Sequence, residues 1–117
     1  MRPPASAVLH VGDEHVRALL RDVVVDLGIS IAAEGESPGV VLAHLARETR
    51  PDDVLAEARR EFGDAPVLLV LPFADDALAA EARRLGFAGC YALGRPLEEL
   101  AAALRLVSSS TSEGVCR

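Results

Sequence analysis

At 117 residues the chain suits one domain with one core. Its net charge of −6, a pI near 5.0 and the lack of any basic cluster disfavour nucleic acid and anionic membranes as partners of this domain, because both need clustered positive charge. Aromatics are only 3%, with no Trp and one Tyr, so the core must be built from Ala, Val and Leu.

The two cysteines, Cys90 and Cys116, form no CxxC pair, and no histidine is spaced as a metal ligand. The residues therefore predict no metal and no cofactor, and Cys90 reads as a small buried side chain. All 12 basic residues are Arg, which with the abundant Ala reads as a coding bias. The first six residues lead into a strand without the apolar stretch of a signal peptide. No run approaches the roughly 18 apolar residues of a membrane helix. The cytoplasm is the expected location.

Residues 7–11 read as a first strand, closed by Gly12. Asp13 is placed to cap the next helix, and Glu14 adds a carboxylate at the positive end of its dipole. Val16, Leu19, Leu20, Val23, Val24 and Leu27 recur at helical steps and predict one buried stripe, with Gly28 as the stop. Residues 29–33 read as a second strand. The link 34–39, Glu-Gly-Glu-Ser-Pro-Gly, is too short and too rich in breakers to hold a helix.

Residues 39–45 then form a short apolar strand fit for burial on both faces. It delivers His44 at its carboxyl end, where ligands sit in open α/β sheets. Parallel neighbours need a crossover of about a dozen residues or more. Strands two and three are therefore expected to flank strand one on opposite sides.

The next helix is expected over 51–62, with Val54, Leu55, Ala58 and Phe62 inward and Gly63 at its end. Residues 66–71 are the most hydrophobic strand and should lie at or near the sheet centre. A helix over 74–85 opens on Asp75 and Asp76, closes on Arg83 and Arg84, and is capped by Gly86. Residues 88–93 form the last strand. Pro96, Glu98 and Glu99 open a final helix to about Val107. The expected division is a domain over 1–107 and a disordered tail or linker start over 108–117.

The stretch Ala65-Pro66-Val67-Leu68-Leu69-Val70-Leu71, the run from Asp75 to Gly89, and Leu97-Glu98-Glu99-Leu100-Ala101-Ala102-Ala103-Leu104 resemble a response-regulator receiver domain of two-component signalling. The similarity spans residues 7–107. It implies a flavodoxin-like, three-layer α/β fold with a five-stranded parallel sheet in order 2-1-3-4-5, the helix between strands two and three being missing or very short.

Receivers phosphorylate an aspartate at the end of strand three. They use Mg²⁺ on two acidic residues after strand one, a Thr or Ser after strand four and a Lys after strand five. Laid on this chain, His44 stands at the aspartate, Gly12 and Asp13 at the acidic pair, Leu71 (at best Pro72) at the hydroxyl and Leu93 at the lysine. Reaching Arg95 instead would shift the register by two residues and spoil the helix that follows. An acyl phosphate needs a carboxylate, Mg²⁺ usually takes one or two carboxylates, and leucines desolvate a phosphoryl charge without donating to it. The resemblance therefore implies a pseudo-receiver, not an enzyme.

Two functions are expected from this. The first is a non-enzymatic signalling module that binds a protein partner or itself without phosphorylation. Leu97, Leu100, Leu104 and Val107 should face the sheet, leaving Ala102, Ala103 and Leu106 off that stripe. Arg83, Arg84, Tyr91, Glu98, Glu99, Ala102, Arg105 and Leu106 form the candidate interaction surface, which receivers commonly use. The sheet flank left bare by the missing helix is a second candidate surface. The alternative is a switch in which His44 and Asp13 sense pH or bind a metal or small ligand. The plainer expectation for His44 is a neutral ring hydrogen-bonded to Asp13 or to a carbonyl. His10 is expected to be a satisfied core histidine and His15 to be exposed and inert.

Overall fold

The computed structural model describes residues 6–33 and 35–116, with side chains through residue 107. The elements run β1 (Ser6–His10), α1 (Glu14–Asp26), β2 (Ser30–Ile31), β3 (Val40–His44), α2 (Pro51–Phe62), β4 (Val67–Leu71), α3 (Asp76–Leu85), β5 (Gly89–Ala92) and α4 (Leu97–Cys116). The sheet is parallel throughout, in the order β2-β1-β3-β4-β5. The short β2–β3 link is accommodated because the two strands lie on either side of β1. Gly39 N donates to the Ser6 carbonyl at 2.9 Å, which pins the link across the start of β1. No helix stands between β2 and β3 among the described residues.

Strand alternation divides the sheet side chains between two cores. Ala7, Leu9, Val40, Leu42, Leu68, Val70 and Tyr91 face α1 and α4, where Leu20, Val24, Leu100 and Leu104 complete the packing. Val41, Ala43, Val67, Leu69 and Leu71 face the other way, onto Val54, Leu55 and Ala58 of α2 and Ala82 of α3. β4 is buried along its whole length and lies next to the central β3. β1 is different. Ala7 and Leu9 are buried, but Ser6, Val8 and His10 on the other face are only half-buried. The missing helix is felt there.

The helix starts and stops are held locally. Asp13 Oδ1 accepts from His15 N at 2.8 Å and Val16 N at 3.2 Å, and Asp75 Oδ1 accepts from Ala77 N at 3.0 Å and Leu78 N at 3.1 Å. Gly86 ends α3 at φ +106°, and a side chain there would crowd the Arg59 guanidinium, 3.1 Å from an ideal Cβ.

Three expectations are corrected. Leu19 and Leu97 are exposed, not buried: the stripe of α1 narrows to Leu20, Val23 and Val24, and Leu97 precedes the buried positions of α4. The second strand is two residues long, not five. The final helix does not stop near Val107 but runs on to Cys116; Arg117, the end of the expected tail, lies outside the described residues, as do residues 1–5 and Glu34.

Candidate functional site

β1 and β3 are neighbours whose chain connections leave in opposite directions, to β2 on one side and towards β4 on the other. Such a switch point is where open α/β sheets bind ligands. A cleft of about 580 Å³ opens there, lined among others by His10, Gly12, Arg17, His44, Glu57 and Phe62.

His44 ends β3, in register with Val70 of β4. Its Nε2 is shut off from solvent and has no hydrogen-bond partner, so the expected bond from that atom to Asp13 or a carbonyl is not formed. Burial pushes the His44 pKa down, and the Asp13 carboxylate opposes this more weakly. Asp13 is engaged elsewhere. The backbone N–H groups of Val16 and His15 hold its carboxyl below the ordinary range, with smaller contributions from the His15 and His44 rings. Gly12 is exposed, and a Cβ there would meet nothing within 4 Å. Packing therefore does not exclude a second carboxylate after β1.

The other two strand ends are apolar. Leu71 is buried at the end of β4. Leu93, just past β5, packs against the α1/α4 core, and its backbone N donates to the Leu71 carbonyl at 2.9 Å. Arg95 turns away to Glu99, with contacts of 3.2 Å and 2.6 Å between guanidinium and carboxylate. Each member of that pair shifts the other towards its charged form.

On the candidate interaction surface Arg83, Arg84, Glu98, Glu99, Ala102, Arg105 and Leu106 are exposed. Tyr91 is not part of it, because it lies in the core and donates its hydroxyl to the Arg95 carbonyl at 2.6 Å. The exposed Leu106 stands off the buried Leu100–Leu104–Val107 stripe, as expected. Cys90 is half-buried against the α2/α3 core, and burial pushes its thiol pKa up, with Arg83 partly opposing.

The histidine expected to be a satisfied core residue is at a different kind of place. His10 is half-buried, with Nε2 3.4 Å from Glu57 Oε1 and Nδ1 3.9 Å from Glu61 Oε2. Its ring meets Phe62 edge-on, at 6.2 Å between centroids. Sequence reasoning missed this group. The signal was present in halves: carboxylates four residues apart on one helix, and a histidine on the alternate face of β1 from Ala7 and Leu9. His15 is exposed, as expected.

No family model matches the sequence, and no curated protein matches it. Solved structures do match in fold. A response regulator from Thermotoga maritima is 14% identical, with a TM-score of 0.70 over 93% of this chain and 99% of that one. A two-component response regulator of the LuxR family from Aurantimonas sp. SI85-9A1 is 19% identical, with a TM-score of 0.74 over 91% and 86%. A CheY-like receiver domain protein from Methanospirillum hungatei JF-1 is 9% identical, with a TM-score of 0.73 over 93% and 97%. The fold of this chain is that of response-regulator receiver domains. Among the described residues no helix is long and apolar enough to cross a membrane.

Proposed function

We propose that this chain is a pseudo-receiver, a signal-transduction module of the cytoplasm that works through protein–protein contact and takes no phosphoryl group. The observation that carries the reading is the set of side chains at the ends of β1, β3, β4 and β5. They are Asp13 bound into a helix cap, a neutral-leaning His44, and the apolar Leu71 and Leu93. None but Asp13 offers an oxygen to Mg²⁺ or a nucleophilic carboxylate, and Asp13 alone is a poor start for an ion that binds through carboxylates and water. Binding then falls to a surface, and Leu106 with Ala102 on the outer side of α4, ringed by Glu98 and Arg105, is the one we assign to a partner or to a second copy. We place the domain at 1–107, with α4 carrying the chain onward.

The test is to incubate the chain with acetyl phosphate, and separately with Mg²⁺ and beryllofluoride, while following amide NMR signals. The reading predicts no covalent label and no saturable shifts around Asp13, His44 and Leu71. An acid-stable or hydroxylamine-labile phosphoryl group on the chain overturns it. One observation favours a second reading, the repurposed switch at His44 and Asp13: the His44 ring lines the cleft with its Nε2 closed off and unpartnered, so a turn of the ring would offer that nitrogen to a small ligand. Saturable shifts confined to His44 with an anion or cation would put that reading first.

A further inference from the structure

We propose that His10, Glu57 and Glu61 form a binding site for a divalent cation of the Zn²⁺ class. One imidazole nitrogen and one oxygen from each carboxylate all lie within 4.8 Å of one another, and no other such trio occurs among the described residues. The donors come from two packed elements. His10 is the last residue of β1 on the face that α2 approaches, and Glu57 and Glu61 project one turn apart from the same side of α2. The ring is steadied by the edge contact with Phe62. Both carboxylates are about half exposed (52% and 57% of side-chain surface) and sit on flexible stems, so they can contract onto an ion.

A second feature of the geometry points to a cation. Both ring nitrogens of His10 face carboxylates, Nε2 towards Glu57 and Nδ1 towards Glu61. A neutral imidazole has one N–H donor and one lone pair. In the neutral ring one carboxylate therefore faces a lone pair, and a cation on that nitrogen, whether a proton or a metal ion, turns the contact into an attraction. A metal ion on that nitrogen is within reach of an oxygen from each carboxylate, and the two carboxylates balance its charge.

The donor chemistry selects the metal. Imidazole nitrogen with carboxylate oxygen suits Zn²⁺, at about 2.0–2.2 Å per bond, with water as the remaining ligand. Mg²⁺ and Ca²⁺ prefer oxygen throughout. Water has a way in, because no helix between β2 and β3 covers this part of the sheet. The cleft continues past Val8 and Phe62 to the β2–β3 link. An ion here would pin α2 to the end of β1, in the cleft that His44 also lines.

The experiment is a Zn²⁺ titration of the chelator-stripped full chain by calorimetry, repeated with Co²⁺ as a visible-absorption probe. One saturable site per chain is expected, with Co²⁺ bands in the visible and a higher melting temperature in Zn²⁺. Affinity should fall at least tenfold in His10→Gln, Glu57→Gln and Glu61→Gln, and stay within twofold in His15→Gln. Glu57→Gln and Glu61→Gln change half-exposed helix positions, so they carry the test even if His10→Gln folds poorly. Absence of saturable Zn²⁺ binding overturns the proposal. So does binding indifferent to the two glutamate variants, binding lost in His44→Gln instead, or Mg²⁺ binding as tightly as Zn²⁺.

Discussion

Asp13 and His44 sense each other's charge, yet burial outweighs the carboxylate and leaves the His44 ring harder to protonate than a free histidine. In a receiver this is where an acidic pocket would hold its ion. Here the balance runs the other way, towards a neutral ring beside a carboxylate already committed to α1.

A pH dependence follows. The ring titrates near 6.5 in the unfolded chain and lower in the folded one. Between those two values the unfolded chain binds more protons, so stability is full above about pH 6.5 and falls as pH drops towards the folded value. The loss in denaturation midpoint between pH 7.5 and 5.5 should be smaller in His44→Gln than in the parent. A His44 ring measured by NMR to titrate at or above 6.5 would refute this.

Tyr91 is the sole tyrosine in a chain without tryptophan, so its phenol can be followed cleanly at 295 nm. Burial raises its pKa, Glu99 adds to that, and Arg95 opposes. The midpoint of its ionisation should lie above the ordinary value of about 10. Tyr91→Phe loses the hydrogen bond to the Arg95 carbonyl and should cost about 1 kcal/mol in urea denaturation.

The interaction surface separates from the core by mutation. Leu100→Ala and Leu69→Ala, both at fully buried positions, should cost about 2–5 kcal/mol. Leu106→Arg and Ala102→Arg change exposed positions and should leave the melting temperature within about 2 °C. If the outer side of α4 is the contact surface, these two variants lose partner binding or self-association, read by light scattering and pull-down with a defined partner. Unchanged association in both would move the interface off α4.

Local caps give a fourth check. Asp75→Ala removes the acceptor for Ala77 N and Leu78 N and should cost about 1 kcal/mol. Gly86→Ala forces a side chain into the left-handed region against Arg59 and should cost about 1–2 kcal/mol. Chemical denaturation measures both, and a neutral Gly86→Ala would mean the turn can rearrange.

What could be read from the chain was what is local. Helical periodicity marked α1 to α4, apolar runs marked β1, β3, β4 and β5, and Asp13, Asp75 and Gly86 announced the helix ends, because caps and ladders are made by residues a few positions apart. The placing of strands two and three on either side of strand one was legible too, since residues 34–39 are too few for a crossover between adjacent strands. His44 was placed at its strand end by the apolar run that precedes it.

The tertiary structure decided which side chains meet. Helical period says that Leu19 and Leu20, or Leu97 and Leu100, share an apolar region, but only the way a helix lies on the sheet selects Leu20 and Leu100 for burial. Tyr91 was expected at the surface and went to the core because β5 alternates and its inward face is the one that α4 covers. His10, Glu57 and Glu61 are distant in sequence. They converge because β1 and β3 are neighbours in the sheet and α2, which follows β3, brings Glu57 and Glu61 to the His10 side chain. Long-range packing, which no local pattern encodes, made that site.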